Sequence, residues 1–189
     1  KSMDPVRDVM GLRIMPDATL EEAPQLDILH VPGGPGQEAL MEDDEVMGWL
    51  RRQAEGAKKV LSVCTGALLV GGAGLSRGKR ATTHWASFHL LPWFGAVAVD
   101  ERVVVDGNWI FAAGVTAGID ASFLLAAAVR GVAAAQHTHP APPPATAPPL
   151  PPRAPPTAPP ATRHRARRPP ACPQRARPVH LREGEKHGA

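Results

Sequence analysis

The pattern of apolar and polar positions alternates between strand-like and helix-like stretches over residues 1–137. Mostly apolar runs at residues 26–31 and 59–63 predict short strands that are central in a sheet and buried on both faces. Apolar side chains at helical spacing predict helices over residues 43–56 and 65–75. Strands that alternate with helices predict an α/β fold with a mostly parallel sheet.

Further elements fill the rest of this region. Residues 103–105 and 109–112 flank an Asp-Gly-Asn turn and predict a β-hairpin. Residues 117–135 are rich in alanine and leucine and predict a closing helix. Shorter strands are predicted at residues 12–15, 80–82 and 96–99. Because chemistry collects at the carboxyl ends of parallel strands, the residues that follow the two apolar runs are the first candidates for a site.

Composition divides the chain into a body, residues 1–137, and a tail, residues 138–189. Of the 22 prolines, 16 lie at or after Pro140, and the tail carries nine Lys/Arg against two acidic residues. The body holds 12 Lys/Arg and 16 Asp/Glu, so the sequence pI of 9.2 describes the tail. The overall charge therefore gives no reason to expect nucleic-acid binding by the body.

The tail has almost no large apolar side chains, so we predict that it is disordered with some polyproline II character. One interpretation is a tether to an anionic surface or a ligand for a proline-binding domain. The other, favoured by the lack of any motif, is a segment translated out of frame. No run approaches 18 consecutive apolar residues, so neither a membrane-spanning helix nor a leader is predicted.

Cys64 stands between a predicted strand and a predicted helix. This is the position of a nucleophile elbow, where the positive end of the helix favours the reactive thiolate. The alternative is an inert thiol in the core. The other cysteine, Cys172, lies in the tail, so no disulfide framework is expected and an unpaired Cys64 suits a reducing cytoplasm. Cys64, His84 and His89 lack zinc-ligand spacing, so no metal is expected.

The Gly33-Gly34 turn follows the first apolar run. Neither residue has a Cβ, so the backbone can approach a reacting group closely. The N–H groups of Gly34 and Thr65 are candidates for an oxyanion hole beside Cys64, while an ordinary strand-to-loop turn explains the glycines equally well. Thr65 is a candidate both for capping the helix and for hydrogen bonding to substrate.

Several other residues have a functional and a structural interpretation. His84 is either a base near Cys64 or, as we favour, a packed histidine that holds its loop. Trp85 is interpreted as a core residue and Asp120 as the N-cap of the last helix. The acidic residues 42–45 are typical of a helix N-terminus.

Five segments, taken together and in order, resemble the ThiJ/PfpI superfamily within the class I glutamine amidotransferase-like folds. They are residues 31–36, 62–74, 80–85, 101–108 and 117–120. The Cys-Thr-Gly and Thr-Thr-His-Trp motifs are highly specific for the superfamily, and the resemblance extends over about residues 8–136. It implies a flavodoxin-like three-layer sandwich, a homodimer, and no metal or other cofactor.

Within the superfamily, these segments are most similar to the members that hydrate isocyanides. The resemblance implies hydration of an isocyanide to an N-substituted formamide through a thioimidate on Cys64, in the cytoplasm. It carries over Cys64 and Thr65 as catalytic residues. Gly33, Gly34 and His84 are carried over as groups that bind substrate or stabilise charge.

The resemblance also implies an opening strand–helix–strand unit, which this N-terminally truncated sequence is expected to lack. That unit carries the carboxylate that protonates the intermediate, and no acidic residue of this sequence matches it. Two alternatives stay open. One is the ligand-sensing domain of an AraC-type transcriptional regulator, which would need two helix-turn-helix motifs that residues 138–189 do not supply. The other is a different cysteine-dependent activity of the glyoxalase, deglycase or peptidase kind.

Overall fold

The computed structural model describes residues 1–8 and 10–138. The strands of this part are β1 (Val6–Arg7), β2 (Arg13–Ile14), β3 (Ile28–Val31), β4 (Lys59–Val63), β5 (Arg80–Ala81), β6 (Val97–Ala98), β7 (Val103–Asp106) and β8 (Trp109–Ala112). The main sheet has the order β3-β4-β8-β7. β3, β4 and β8 run parallel and β7 runs antiparallel to β8, so the predicted mostly parallel sheet is confirmed.

Helices cover both faces of this sheet. They are α1 (Gln37–Met41), α2 (Asp44–Gly56), α3 (Gly66–Gly72), a 3-10 helix (Trp85–Phe94), α4 (Val115–Arg130) and α5 (Val132–Thr138). Residues of α2 and α3 belong to the apolar cluster on one face, and residues of α4 belong to the cluster on the other. The result is the three-layer arrangement expected for a flavodoxin-like fold. None of these helices is both long enough and apolar enough to cross a membrane.

Strand β4 shows why a mostly apolar run forms a central strand of the sheet. Val60 contributes to the cluster under α2 and α3, while Leu61 contributes to the cluster under α4. Both are buried, because successive side chains of a strand point to opposite faces. Burial of each such side chain stabilises the fold by roughly 1.5–3 kcal/mol.

Strand β3 differs from the prediction, because it forms an edge of the sheet and is buried on one face only. Leu29 and Val31 are 2% and 3% exposed, whereas Ile28 is 37% exposed and His30 is also exposed. The mostly apolar run at residues 26–31 therefore does not identify a strand that is buried on both faces. Sheet order, which depends on distant segments, decides that point.

The hairpin prediction is confirmed, and the turn is held by its own side chains. Asp106 pairs with Trp109 across β7 and β8, so the connection is two residues long. The Asn108 side chain donates to the Ala57 carbonyl at 3.2 Å, and the Asp106 carboxylate accepts the Arg80 N–H at 2.7 Å. These bonds join the hairpin to the loop before β4 and to β5.

Helix α2 begins and ends where its pattern predicts. Asp43 is its N-cap and accepts the N–H groups of Glu45 and Val46 at 3.1 and 3.2 Å. Asp43 thus caps the helix, and Asp44 and Glu45 lie in its first turn, where the sequence favours acidic residues, while Glu42 is the C-cap of α1. Near its other end, the buried Gln53 side chain accepts the Leu26 N–H at 2.9 Å and so holds the segment that leads into β3.

Four elements are shorter or divided compared with the sequence prediction. α3 ends at Gly72 instead of residue 75. The predicted helix over residues 117–135 is two helices, because Gly131 adopts φ +86 between α4 and α5. The predicted strands at residues 80–82 and 96–99 pair with each other as β5 and β6, in a sheet of their own.

The prediction of a disordered tail falls on residues that lie outside the described part of the chain, apart from Thr138 at the end of α5. The division into a body and a tail at residues 137 and 138 stays a prediction.

Candidate active site

Cys64 occupies a sharp turn between β4 and α3. Its φ is +58, and it is the one non-glycine residue with positive φ among residues 1–8 and 10–138. A left-handed backbone is unfavourable for a residue with a Cβ and persists where surrounding contacts hold it. Here the Cys64 N–H donates to the Ala112 carbonyl of β8 at 2.8 Å. The half-buried thiol therefore has the backbone of a nucleophile elbow rather than of an ordinary core position.

Two glycines allow the loop after β3 to pack against this elbow. A Cβ on Gly33 would lie 2.6 Å from the Thr65 nitrogen and 2.9 Å from the Cys64 Cβ. A Cβ on Gly66 would lie 2.2 Å from the Val31 carbonyl oxygen. The close approach of the two segments therefore requires glycine at Gly33 and at Gly66. Gly33 thus does more than form an ordinary strand-to-loop turn.

The Thr65 hydroxyl joins this loop to α1. It donates to the Gln37 side-chain oxygen at 2.6 Å and accepts the Gly34 N–H at 3.1 Å. Two expectations change as a result. The Thr65 side chain makes no capping hydrogen bond to α3, and the Gly34 N–H, which the sequence suggested for an oxyanion hole, has Thr65 as its acceptor.

Beside Cys64 lies an open cavity of about 370 Å³. It is lined by Cys64, Thr82, Thr83, His84, Trp85, Phe88, Asp100, Arg102, Ala113, Gly114, Val115, Thr116 and Ala117. Of the five residues carried over from the resemblance, the cavity therefore brings together Cys64 and His84. Gly33, Gly34 and Thr65 form the loop network described above and are not among the lining residues.

His84 caps the 3-10 helix that borders the cavity. Its Nδ1 accepts the Ala86 N–H at 3.4 Å, and its ring lies 5.3 Å from the Trp85 ring, measured between centroids. These contacts fit the interpretation of a histidine that holds its loop, although the side chain also lines the cavity. The interpretation of Trp85 as a core residue is wrong, since its side chain is 69% exposed. His89 is exposed.

Asp120 does not cap the last helix. α4 begins at Val115 after Gly114, so Asp120 lies in the second turn. Its carboxylate accepts from the Arg102 guanidinium at 2.5 Å. Arg102 lines the cavity, so this pair ties the loop before β7 to the helix on the opposite wall.

Sequence reasoning missed four polar groups of this region: Gln37, Thr83, Asp100 and Arg102. Thr83 lies inside the Thr-Thr-His-Trp motif, which was the available signal for it. Gln37, Asp100 and Arg102 are single polar residues in loops or at the start of a helix, where no periodic pattern indicates a function. Within the described part of the chain, no group of three or more His, Cys, Asp or Glu side chains is arranged to hold a metal ion.

A cysteine at a strand-to-helix turn of an α/β sheet, next to an open cavity, has the local geometry of a nucleophile elbow with sulfur in place of oxygen. The chain belongs to the DJ-1/PfpI family, whose profile matches residues 1–128. The predicted ThiJ/PfpI resemblance is confirmed.

Individual relatives agree with this assignment. The chain is 48% identical over 149 residues to a Pseudomonas putida protein named isonitrile hydratase, covering 76% of this chain and 65% of that protein. A crystal structure of a ThiJ/PfpI family protein from Pseudomonas syringae is 40% identical and superposes with a TM-score of 0.70, over 72% of this chain and 57% of that chain.

A third relative is an HTH-type transcriptional regulator, GbdR, from Pseudomonas aeruginosa. It is 33% identical over 112 residues, which cover 58% of this chain and 30% of the regulator. The chain thus spans less than two thirds of the length of each of these relatives.

Proposed function

We propose that this chain supplies the nucleophile and the substrate cavity of an enzyme of the isonitrile hydratase kind. The reaction adds one water to an isocyanide, R–N≡C, and yields the formamide R–NH–CHO without a cofactor. The observation that carries the proposal is the left-handed Cys64 beside a cavity, in a chain 48% identical to a protein of that name.

Cys64 acts in the proposed mechanism as the attacking thiolate. Its sulfur forms a bond to the terminal isocyanide carbon, and the electron pair that this carbon then carries takes up a proton. The product of these two steps is a thioimidate, Cys64-S–CH=N–R. Water adds to its C=N bond as hydroxyl on carbon and proton on nitrogen. Collapse of the adduct then releases the hydroxyl proton, breaks the C–S bond to expel the thiolate, and forms the formamide carbonyl. No electrons are gained or lost.

The remaining proposed roles follow from position. Thr65 is the N-cap of α3, and its N–H is the proposed donor to charge that develops on the substrate. The Thr65 hydroxyl, Gly33 and Gly34 hold the loop that borders the elbow. Among the described cavity residues, His84 and Asp100 line the same space as Cys64 and are the proposed groups for proton transfer. We also propose that the protein is a homodimer and that it acts in the cytoplasm.

A ligand-sensing role is the second candidate, because GbdR matches 112 residues of this chain. A sensor would bind its ligand in the cavity without consuming it. The glyoxalase, deglycase or peptidase alternative uses the same cysteine on a carbonyl or peptide substrate.

The deciding experiment incubates the purified protein with a water-soluble alkyl isocyanide and follows the formyl proton of the product by NMR. Formamide should accumulate catalytically, and Cys64→Ser should abolish it while circular dichroism stays unchanged. An isocyanide that binds without turnover would favour the sensor. Conversion of methylglyoxal, with the isocyanide untouched, would favour the glyoxalase or deglycase alternative.

A further inference from the structure

Thr83 is a buried polar residue for which the proposed mechanism has no use. It lies between β5 and the 3-10 helix, is 1% exposed, and lines the cavity next to Cys64. Its hydroxyl donates to the Cys64 carbonyl at 2.7 Å, across 19 residues of sequence. A hydroxyl placed in the interior is unfavourable unless it is hydrogen-bonded, so this contact is the reason that Thr83 can be buried there.

For the Cys64 carbonyl, this bond is the short one. The other donor recorded for it is the Ala67 N–H at 3.4 Å, which is longer than the usual 2.7–3.2 Å of such bonds. The Cys64 N–H is held by the Ala112 carbonyl. The strained residue is thus fixed on one side by β8 and on the other by the Thr83 hydroxyl.

The same bond also orients the next N–H group. The Cys64 carbonyl and the Thr65 N–H belong to one peptide unit, which is planar, so fixing the carbonyl fixes the direction of the N–H. This N–H is the one that the proposed mechanism directs at the substrate. Loss of the Thr83 hydroxyl would release this unit to rotate about the Cα–C bond of Cys64, and the Thr65 N–H would lose its fixed direction.

We propose that Thr83 is a positioning residue for the nucleophile: its hydroxyl holds the Cys64–Thr65 peptide so that thiolate and N–H face one reacting atom. The part that concerns hydration rests on the proposed function. The part that concerns the reactivity of Cys64 does not, and it is measured with a small alkylating reagent.

The experiment compares Thr83→Val, which keeps the shape and removes the hydroxyl, with Thr83→Ser, which keeps the hydroxyl. Ser76→Ala is the matched control. Ser76 is fully buried outside the cavity, and its hydroxyl likewise donates to a backbone carbonyl, that of Phe94 at 3.2 Å. Thr83→Ala provides a second hydroxyl-free variant. Iodoacetamide alkylation of Cys64 is followed by mass spectrometry at several pH values, with Cys172 as the internal reference for reagent.

Thr83→Val and Thr83→Ala should slow alkylation of Cys64 and lower kcat for isocyanide hydration by about tenfold, with KM changed much less. Thr83→Ser should recover most of both rates. Ser76→Ala should lower the unfolding midpoint comparably and leave both rates at the wild-type value. If one hydroxyl-free variant does not fold, the other carries the comparison.

Wild-type alkylation rates in the hydroxyl-free variants would overturn the proposal, as would a Thr83→Ser variant no better than Thr83→Val. Equal slowing in Ser76→Ala would overturn it too, since the effect would then come from stability. If wild-type protein forms no formamide, the proposed function fails, and the alkylation rates still decide the role of Thr83.

Discussion

At the scale of single residues, the site depends on a backbone conformation that its own residue disfavours. A left-handed φ costs roughly 1–2 kcal/mol for a residue with a Cβ, and Cys64 has φ +58. The hydrogen bonds from Cys64 to Ala112 and from Thr83 to Cys64 offset that cost. A cysteine stands where glycine would be less strained, which supports the proposed role of its thiol.

The strain predicts an unusual order of stability among variants of this position. Cys64→Gly relieves the left-handed φ, whereas Cys64→Ala keeps it, and both remove the thiol. We expect Cys64→Gly to unfold at a higher urea concentration than Cys64→Ala, by about 1 kcal/mol in the free energy of unfolding. The reverse order, which is normal where φ is negative, would contradict a left-handed Cys64.

Gly33 supports a second prediction at this scale. Its substitution by alanine would place a Cβ 2.6 Å from the Thr65 nitrogen, which forces the loop or the elbow to shift. We expect Gly33→Ala to lower the free energy of unfolding by about 1–3 kcal/mol and to slow alkylation of Cys64.

Gly48→Ala is the control for Gly33→Ala. Gly48 lies inside α2, where the nearest atom to an added Cβ is the end of the Arg52 side chain at 3.4 Å. Alanine there should leave stability unchanged or raise it, since alanine favours helix. Urea unfolding curves of both variants measure the change in the free energy of unfolding. An unchanged alkylation rate of Cys64 in Gly33→Ala would contradict the prediction.

At the scale of elements, the start of α2 is fixed by its N-cap, Asp43. The Lys1 ammonium ion, which pairs with Asp43, and after it the Val46 N–H hold the pKa of Asp43 below its ordinary value. A carboxyl group whose pKa is lowered by folding stabilises the protein above its unfolded pKa, near 3.9. That contribution is lost as the pH falls through the folded-state pKa.

Asp43→Asn should therefore have a pH-dependent effect. The amide still caps α2, but it lacks the charge that pairs with Lys1. The melting temperature should be lower than that of wild type at neutral pH, and the difference should shrink below about pH 4. Asp44→Asn, which removes a first-turn charge other than the cap, is the control. A difference between wild type and Asp43→Asn that stays constant down to pH 2 would contradict this account of Asp43.

At the scale of the molecule, the main sheet of the described residues has two apolar faces and two edge strands, β3 and β7. Clusters under α2 and α3 and under α4 bury both faces of β4. β3 at the edge leaves Ile28 and His30 exposed. Unpaired edge strands with apolar side chains associate with one another unless a charge or another segment prevents it.

We therefore expect the body to aggregate on heating through β3. Ile28→Lys should raise the temperature at which light scattering begins, because a lysine opposes pairing at an edge. Its unfolding midpoint should stay close to that of wild type. Val105→Lys, at a residue that is 52% exposed on β7, tests whether any added charge has the same effect. Equal protection by both variants would argue against β3 as the route.

The sequence by itself determined several elements and the position of Cys64 between a strand and a helix. Helix α2, strand β4 and the β7–β8 hairpin follow from local periodicity and turn residues, which act between neighbours in the chain. The junction that bears Cys64 follows from the same local signals. For these features tertiary contacts reinforce the local preference and do not change it.

Only the tertiary structure decided which elements meet. The edge position of β3, the exposure of Trp85 and the pairing of Asp120 with Arg102 depend on sheet order and on loops that pack across the fold. The contact between Thr83 and the Cys64 carbonyl joins segments 19 residues apart. Such contacts leave no periodic pattern in the sequence, because their partners are brought together by the assembled sheet and not by the spacing of residues along the chain.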